Sequence, residues 1–274
     1  MKILTVNSIS GGKTSCYMAL KFEADVNIFS CVLTNDKACR IKDKGLLRDI
    51  QDKLPQFEGS RELDQTLINV LRLEQELGHE IKWIASEYTY DEMLIKNKFL
   101  PNKFNRSCTF ALKLFPILSH TWINYGLVIM NIGFRHDEIH RAERMMSDCD
   151  KAYRTKIPVS CNIKSKRKSY NNVEWRLPCF PLIENNINHF DVIKFWNDKG
   201  WHFPSISNCD FCFFHTKKQL SEQRDKFPER FNWWEKKENQ FNHTFGDKPI
   251  NEIPRYSQLI LFDDETLVNC SCTD

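Results

Sequence analysis

The stretch "SISGGKTSC", residues 8–16, sets glycines, hydroxyls and a lysine between two segments of different character. Before it runs the strand-like Ile3-Leu4-Thr5-Val6, and after it a helix-compatible segment from Tyr17 to Phe22. Strand, Gly-rich turn and helix N-terminus together present backbone N–H groups to an anion. Working outward, Asn27 to Thr34 reads as a second buried strand. Ser60 is placed to cap a helix through Leu77, whose Leu63, Leu67, Val70, Leu71 and Leu77 recur at helical spacing, with Gly78 as its C-terminal stop. Glu80–Ala85 reads as a third strand, Phe110–Trp122 as a helix and Gly126–Ile132 as a fourth strand. Strand and helix alternate, which predicts an α/β, Rossmann-like open parallel sheet with helices on both faces.

The pattern changes near residue 146. Residues 147–178 are polar and read as irregular, with a basic run at Lys164-Ser-Lys-Arg-Lys168 that suits a solvated loop. A helix from Asn188 to Lys199 ends at Gly200, a loop carries Cys209 and Cys212, and two more helices fall between Thr216 and Phe241. Trp233, Trp234, Phe227 and Phe231 read as core of this mostly helical C-terminal region. The expected organisation is a nucleotide-binding core over 1–146, an extension carrying a cysteine site over 147–215, and a helical region with a cysteine-containing tail over 216–274.

Composition bounds the function. The chain has 274 residues, 41% hydrophobic and 27% charged, with a net charge of +3. That charge is too small to argue for general nucleic-acid binding. The start resembles a strand rather than a signal peptide, and no apolar stretch is long enough to span a bilayer. A cytoplasmic protein without membrane contact is expected. Eleven cysteines, an odd number without a leader, argue against a secreted disulfide framework. Cys16 and Cys31 read as small buried apolar residues. Cys209-Asp-Phe-Cys212 is a C-x-x-C open to three readings: a zinc half-site, a redox dithiol, or two ligands of an iron–sulfur cluster. No second pair at similar spacing completes a zinc site.

Two loop families compete for residues 8–16. The Walker A pattern G-x-x-x-x-G-K-S/T matches at Gly12-Lys13-Thr14, but its first glycine falls on Asn7. Ser10-Gly11-Gly12-Lys13-Thr14-Ser15, with Ser8 upstream, instead resembles the S-G-G-x-D/T-S loop of the PP-loop superfamily. Three further segments follow in the order found in phosphoadenosine-phosphosulfate (PAPS) reductase-like proteins. "NRSCTFALKLFPI", residues 105–117, resembles their R-x-C-T-x-x-x-K-x-x-P segment; "GFRHDEIHRAER", residues 133–144, their G-x-R-x-x-E-x-x-R segment; and "FPLIENNINHFDVIKFW" with "NCDFCFF" their P-L, helix, C-x-x-C ending. Together the matches span roughly residues 1–215.

The resemblance implies adenine-nucleotide chemistry. Ser8, Ser10, Gly11, Gly12, Lys13, Thr14 and Ser15 would hold pyrophosphate or a phosphosulfate, with Gly133, Arg135, Glu138 and Arg141 completing the ligand site. Glu138 and Arg141, three apart, share a helix face, where Glu138 would orient an arginine fork. The adenosine would lie near Leu33 to Asp36. Expected ligands are ATP with Mg²⁺, or PAPS or adenylyl sulfate. Cys108, Cys209, Cys212 and a fourth thiol, Cys179 by preference and Cys161 or Cys149 as alternatives, would hold a 4Fe–4S cluster. The chain lacks the E-C-G-I/L-H segment of thiol-dependent reductases and the Cys-Cys pair of cluster-bearing ones; Cys270-Ser-Cys272 is the tail's own thiol pair. The leading expectation is an ATP pyrophosphatase that adenylates an acceptor and assists sulfur transfer onto it, for example onto a nucleic acid, with a sulfur-donor protein as partner. Lys13, Arg135 and Arg141 would neutralise charge, and Cys270 or Cys272 would deliver sulfur. Reduction of PAPS or adenylyl sulfate to sulfite is the second expectation, and a non-catalytic nucleotide or redox sensor the third.

Overall fold

The computed structural model describes residues 2–150, 155–160, 170–204, 206 and 208–256, with the backbone alone at 155–160 and 170–173. Cys161, Cys270, Cys272 and the basic run 164–168 lie outside the described residues. The elements run β1 (Thr5–Ile9), α1 (Lys13–Lys21), β2 (Val26–Cys31), α2 (Lys44–Lys53), α3 (Asp64–Leu77), β3 (Ile81–Ala85), α4 (Tyr90–Asn97), α5 (Ser107–Thr109), a π turn (Phe110–Leu114), α6 (Phe115–Asn124), β4 (Val128–Asn131), α7 (Ile139–Ser147), β5 (Thr155–Ser160), β6 (Tyr170–Cys179), α8 (Pro181–Glu184), α9 (His189–Lys199), α10 (Lys217–Lys226) and α11 (Pro228–Phe241).

One sheet organises these elements, in strand order β3-β2-β1-β4-β6-β5. The first five strands are parallel and β5 runs antiparallel at the edge. Helices α1, α3 and α9 cover one face, burying Ile9, Phe29 and Cys31 against Met18, Val70 and Trp196. On the other face α6 brings Ile117 and Leu118 onto Val6, Ile28 and Met130. The α/β reading with helices on both faces holds. A third cluster joins Phe211, Phe231, Trp234 and Phe245 to Tyr90 and Val32, so the C-terminal aromatics are core, as read from the sequence. No helix among the described residues is long and apolar enough to cross a membrane.

Several boundaries differ from expectation. Ser60 does not cap α3: its hydroxyl donates to the Val32 carbonyl and bonds Glu62, within an antiparallel bridge to Leu33, and α3 begins at Asp64. Gly78 does end α3, at φ +69°. Residues 147–178 are not wholly irregular, because β5 and β6 fall there. β6 pairs with β4, so the sheet continues across the boundary expected at 146. Its polar composition hides this strand, since its neighbours rather than its own periodicity bury it.

The order of strands defines where ligands bind. From β1 the chain moves outward to β2 and β3, then returns to β4 and moves outward the other way. The C-terminal ends of β1 and β4 therefore form the switch point at which open α/β sheets hold ligands.

Candidate functional site

At the switch point the loop after β1 turns through Gly11, at φ +77°. The backbone amide of Ser10 donates to Ser15 Oγ at 3.1 Å, the two hydroxyls lie 3.0 Å apart, and Ser15 Oγ donates to the Gly12 carbonyl at 3.1 Å. These bonds curl the loop over the start of α1. No side chain caps that helix, so its first turn keeps N–H groups for a ligand. Asn208 clamps the outer side, donating to the Ser10 carbonyl at 2.7 Å, and Trp196 Nε1 donates to the Lys13 carbonyl at 2.9 Å. Burial pushes the Lys13 ammonium below its ordinary pKa, which favours an anionic neighbour.

The loop after β4 packs directly on this turn. A Cβ on Gly133 would lie 3.6 Å from Ser15 Cα. Arg135 donates to Thr14 Oγ1 at 3.1 Å. The acid partner of this arginine comes from elsewhere. Asp137 receives Nε and Nη2, each at 3.1 Å, and Glu138 Oε2 lies 3.3 Å from Nη1. Burial pushes the Asp137 carboxyl up, but hydrogen bonding and charge from Arg135 outweigh it and hold it below the usual range. Glu138 Oε1 also takes Arg141 Nη1 at 2.6 Å, and that guanidinium lies 4.2 Å above the Phe134 ring. Glu138 thus bonds both arginines. Yet Arg135 and Arg141 are already balanced by two carboxylates and are absent from the pocket wall. They brace the loops and do not present an open fork.

The pocket itself opens between the sheet edge and the π turn. Ser8, Ser10, Ser30, Lys113, Gly133 and Arg176 supply its polar wall. Pro116 has no amide to bond the Leu112 carbonyl, and Ser30 Oγ donates to that carbonyl at 3.0 Å instead. The helix relaxes into a π turn here, a feature common at functional sites, and Lys113 lies within it. Lys113 and Arg176 were not singled out by the sequence reading. Lys113 stood inside a recognised segment, whereas Arg176 carried no motif. The end of β2, where adenosine is expected, has its backbone engaged: Val32 N with Glu62, Leu33 O with Tyr90 N, Thr34 N with Gly59 O and Asn35 N with Asp91.

A second pocket adjoins the first through Lys113. Cys108, Cys209 and Cys212 line it together with Arg61, Tyr90 and Lys113. Lys113 Nζ donates to Cys209 Sγ at 3.3 Å and lies 3.4 Å from Glu62 Oε1. Phe211 holds φ +43°, unusual for a bulky residue, and its amide donates to Gln223 Oε1 at 2.7 Å. That turn directs both cysteines of the C-x-x-C to one pocket. The expected fourth ligand is not with them. Cys179 ends β6 and its thiol donates to Glu184 at 3.7 Å, with burial and that carboxylate pushing it up to about 11; Cys149 donates to the Met145 carbonyl. Among the described residues no group of three or more His, Cys, Asp or Glu side chains is arranged to hold a metal ion. The four-cysteine set therefore does not fit a cluster as it stands. Cys16 and Cys31 are fully buried, and burial pushes Cys16 up to about 12. None of the protein families, curated proteins or solved structures compared with this chain matches it.

Proposed function

We propose that this chain is an adenine-nucleotide enzyme of the PP-loop type that activates an acceptor by adenylation. The observation that carries the reading is the turn at Gly11 and Gly12. It lies at the switch point, with an uncapped helix behind it and Lys13 at its first position. ATP would set its β,γ-phosphates against the amides of this turn, with Lys13 neutralising charge as pyrophosphate leaves. Arg135 would act as a positioning residue, fixing Thr14 and with it the first turn of α1. Mg²⁺ would supply further charge neutralisation on the phosphates. The acceptor would be a molecule such as a nucleic acid, with a sulfur-donor protein as partner. Among the described residues the thiols do not complete an iron–sulfur site, and this reading needs none.

A second reading is favoured by one contact, Lys113 on Cys209 at 3.3 Å, beside the switch-point pocket. In it the substrate is PAPS or adenylyl sulfate: the Cys209 thiolate would attack the sulfonyl sulfur and displace the adenylate phosphate, and Cys212 would then release sulfite as the two thiols close to a disulfide and so supply two electrons. The test for the first reading is calorimetric titration of ATP into the parent, Lys13→Ala and Gly12→Val proteins. A Cβ at Gly12 would press on Asn208 Oδ1 at 3.2 Å and close the turn. At least tenfold weaker binding by both folded variants, about 1.4 kcal/mol, is expected. Unchanged affinity in both would sink the reading. Sulfite release from adenylyl sulfate, lost in Cys209→Ser, would select the second.

A further inference from the structure

Among the described residues, Arg176 is the one buried guanidinium that no carboxylate neutralises. Its residue is 6% exposed, on β6 beneath α6. Its Nη1 and Nη2 face the thioether sulfurs of Met130 and Met145, each at 3.6 Å, and its Nε has no hydrogen-bond partner. The Trp175 ring lies 4.4 Å away, and the Cys149 thiol is near enough to favour the charged form. Other buried arginines are treated differently. Arg61 has Asp36 and Asp210, each at 3.2 Å; Arg135 has Asp137 and Glu138; Arg230 has Asp64 at 3.5 Å and Asp210 at 3.8 Å. No carboxylate among the described residues pairs with Arg176.

Burial lowers the Arg176 pKa to about 10, which leaves it charged at neutral pH. An unpaired buried cation costs several kcal/mol, far more than thioether sulfurs return. The same pocket is lined by Ser8, Ser10, Ser30 and Lys113 and by no acidic side chain. The Ser30 and Ser10 hydroxyls are engaged by the Leu112 carbonyl and Ser15, so Ser8 is the serine offered to a ligand, and a guanidinium beside a hydroxyl and a lysine in a lining without carboxylates suits an oxyanion.

We infer that the pocket under α6 binds a small tetrahedral oxyanion, phosphate or sulfate in chemistry, with Arg176 as its main charge partner and Ser8 and Lys113 beside it. The site shares Ser8 and the switch point with the nucleotide reading but rests on Arg176, which that reading does not use. The ion is either free or the terminal group of a larger ligand.

The experiment titrates sodium sulfate and sodium phosphate, at ionic strength held constant with chloride, while recording thermal melting and binding heat. The parent should bind saturably and melt at a higher temperature with either ion. Arg176→Met should bind at least tenfold more weakly, and without ion should melt higher than the parent, because it removes a buried charge. Ser8→Ala should weaken binding severalfold with an unchanged ion-free melting point, and it carries the test should Arg176→Met not fold. Lys13→Ala, at a residue outside this pocket's lining, should keep its sulfate affinity, so failure of the nucleotide reading and failure of this site are distinguishable. Sulfate binding that competes with ATP marks the ion as the end of a nucleotide. Sulfate that binds alongside ATP marks a separate site, and either supports the inference. Equal response of parent and Arg176→Met, or an Arg176→Met protein that is less stable while its ion affinity is unchanged, overturns it.

Discussion

Gly11 sits at the tip of the loop after β1 with φ +77°, and a Cβ there would come within 2.5 Å of Thr66 Cγ2. Two separate costs meet at this position, a left-handed backbone and a steric clash with α3. Gly11→Ala should therefore destabilise by about 2–4 kcal/mol in urea unfolding, combining the cost of a strained residue with overpacking. Adding Thr66→Ser removes the clashing methyl, so the double variant should recover the steric part and keep the backbone part. Simple additivity of the two changes would show that the methyl contact plays no part. Glycines of this kind are legible in a sequence because their backbone need is local. Arg176 is not, because its meaning lies in what surrounds it: Met130 and Met145 come from distant segments, and nothing near Arg176 in the chain announces a missing carboxylate. Arg135 and Arg141 show the reverse pattern. Their spacing with Glu138 was readable, but Asp137 and the buried packing that use up their charge were not.

At the scale of elements, the parallel register of three strands is pinned by a row of buried asparagines. Asn7 donates to Asn27 Oδ1 at 3.0 Å and to the Phe22 carbonyl at 3.0 Å, and Asn131 donates to Asn7 Oδ1 at 2.9 Å. These residues are register partners across β2, β1 and β4. A one-residue slip would put an amide into an apolar layer, so the row selects one alignment. Asn7→Leu leaves several buried polar groups unsatisfied at once. It should cost about 3 kcal/mol or more in urea unfolding, each such group being worth roughly 1–3 kcal/mol. A loss below about 1 kcal/mol would mean that the row is incidental. In the Walker A alignment Asn7 occupies a glycine position, and its place inside the sheet gives a structural reason why that motif is a poor fit. Periodicity located β1 to β4, α3 and α9 because their apolar faces repeat. It missed α2 and α4, which are short, and β6, whose burial comes from β4 beside it. The α3 start was misplaced because Ser60 satisfies the rule for a cap while its hydroxyl is used by β2.

Across the whole molecule, residues 208–212 join parts that are far apart in the chain. Asn208 holds the loop at Ser10 and accepts the Leu63 amide, Cys209 bridges to Glu62, and Asp210 receives Arg61 and its own amide donates to the Arg61 carbonyl. Lys113 then spans the two pockets, lining the switch-point cavity while its ammonium touches Cys209. Cys209 is therefore a thiol with a cation beside it that also adjoins the switch-point pocket. A cation beside a thiol favours the thiolate, the reactive form. Lys113→Met should slow alkylation of Cys209 by iodoacetamide at pH 8 about tenfold, the scale of removing one neighbouring charge, when the modified peptide is followed by mass spectrometry. Lys113→Arg should largely preserve the rate, and fully buried Cys16 should stay unmodified in all three proteins while folded. The same assay reads the coupling of the two pockets. An oxyanion seated between Arg176 and Lys113 draws the ammonium's field toward itself, so saturating sulfate should slow Cys209 alkylation in the parent and leave Lys113→Met unaffected. An alkylation rate indifferent to both Lys113→Met and sulfate would mean that the two pockets adjoin without communicating.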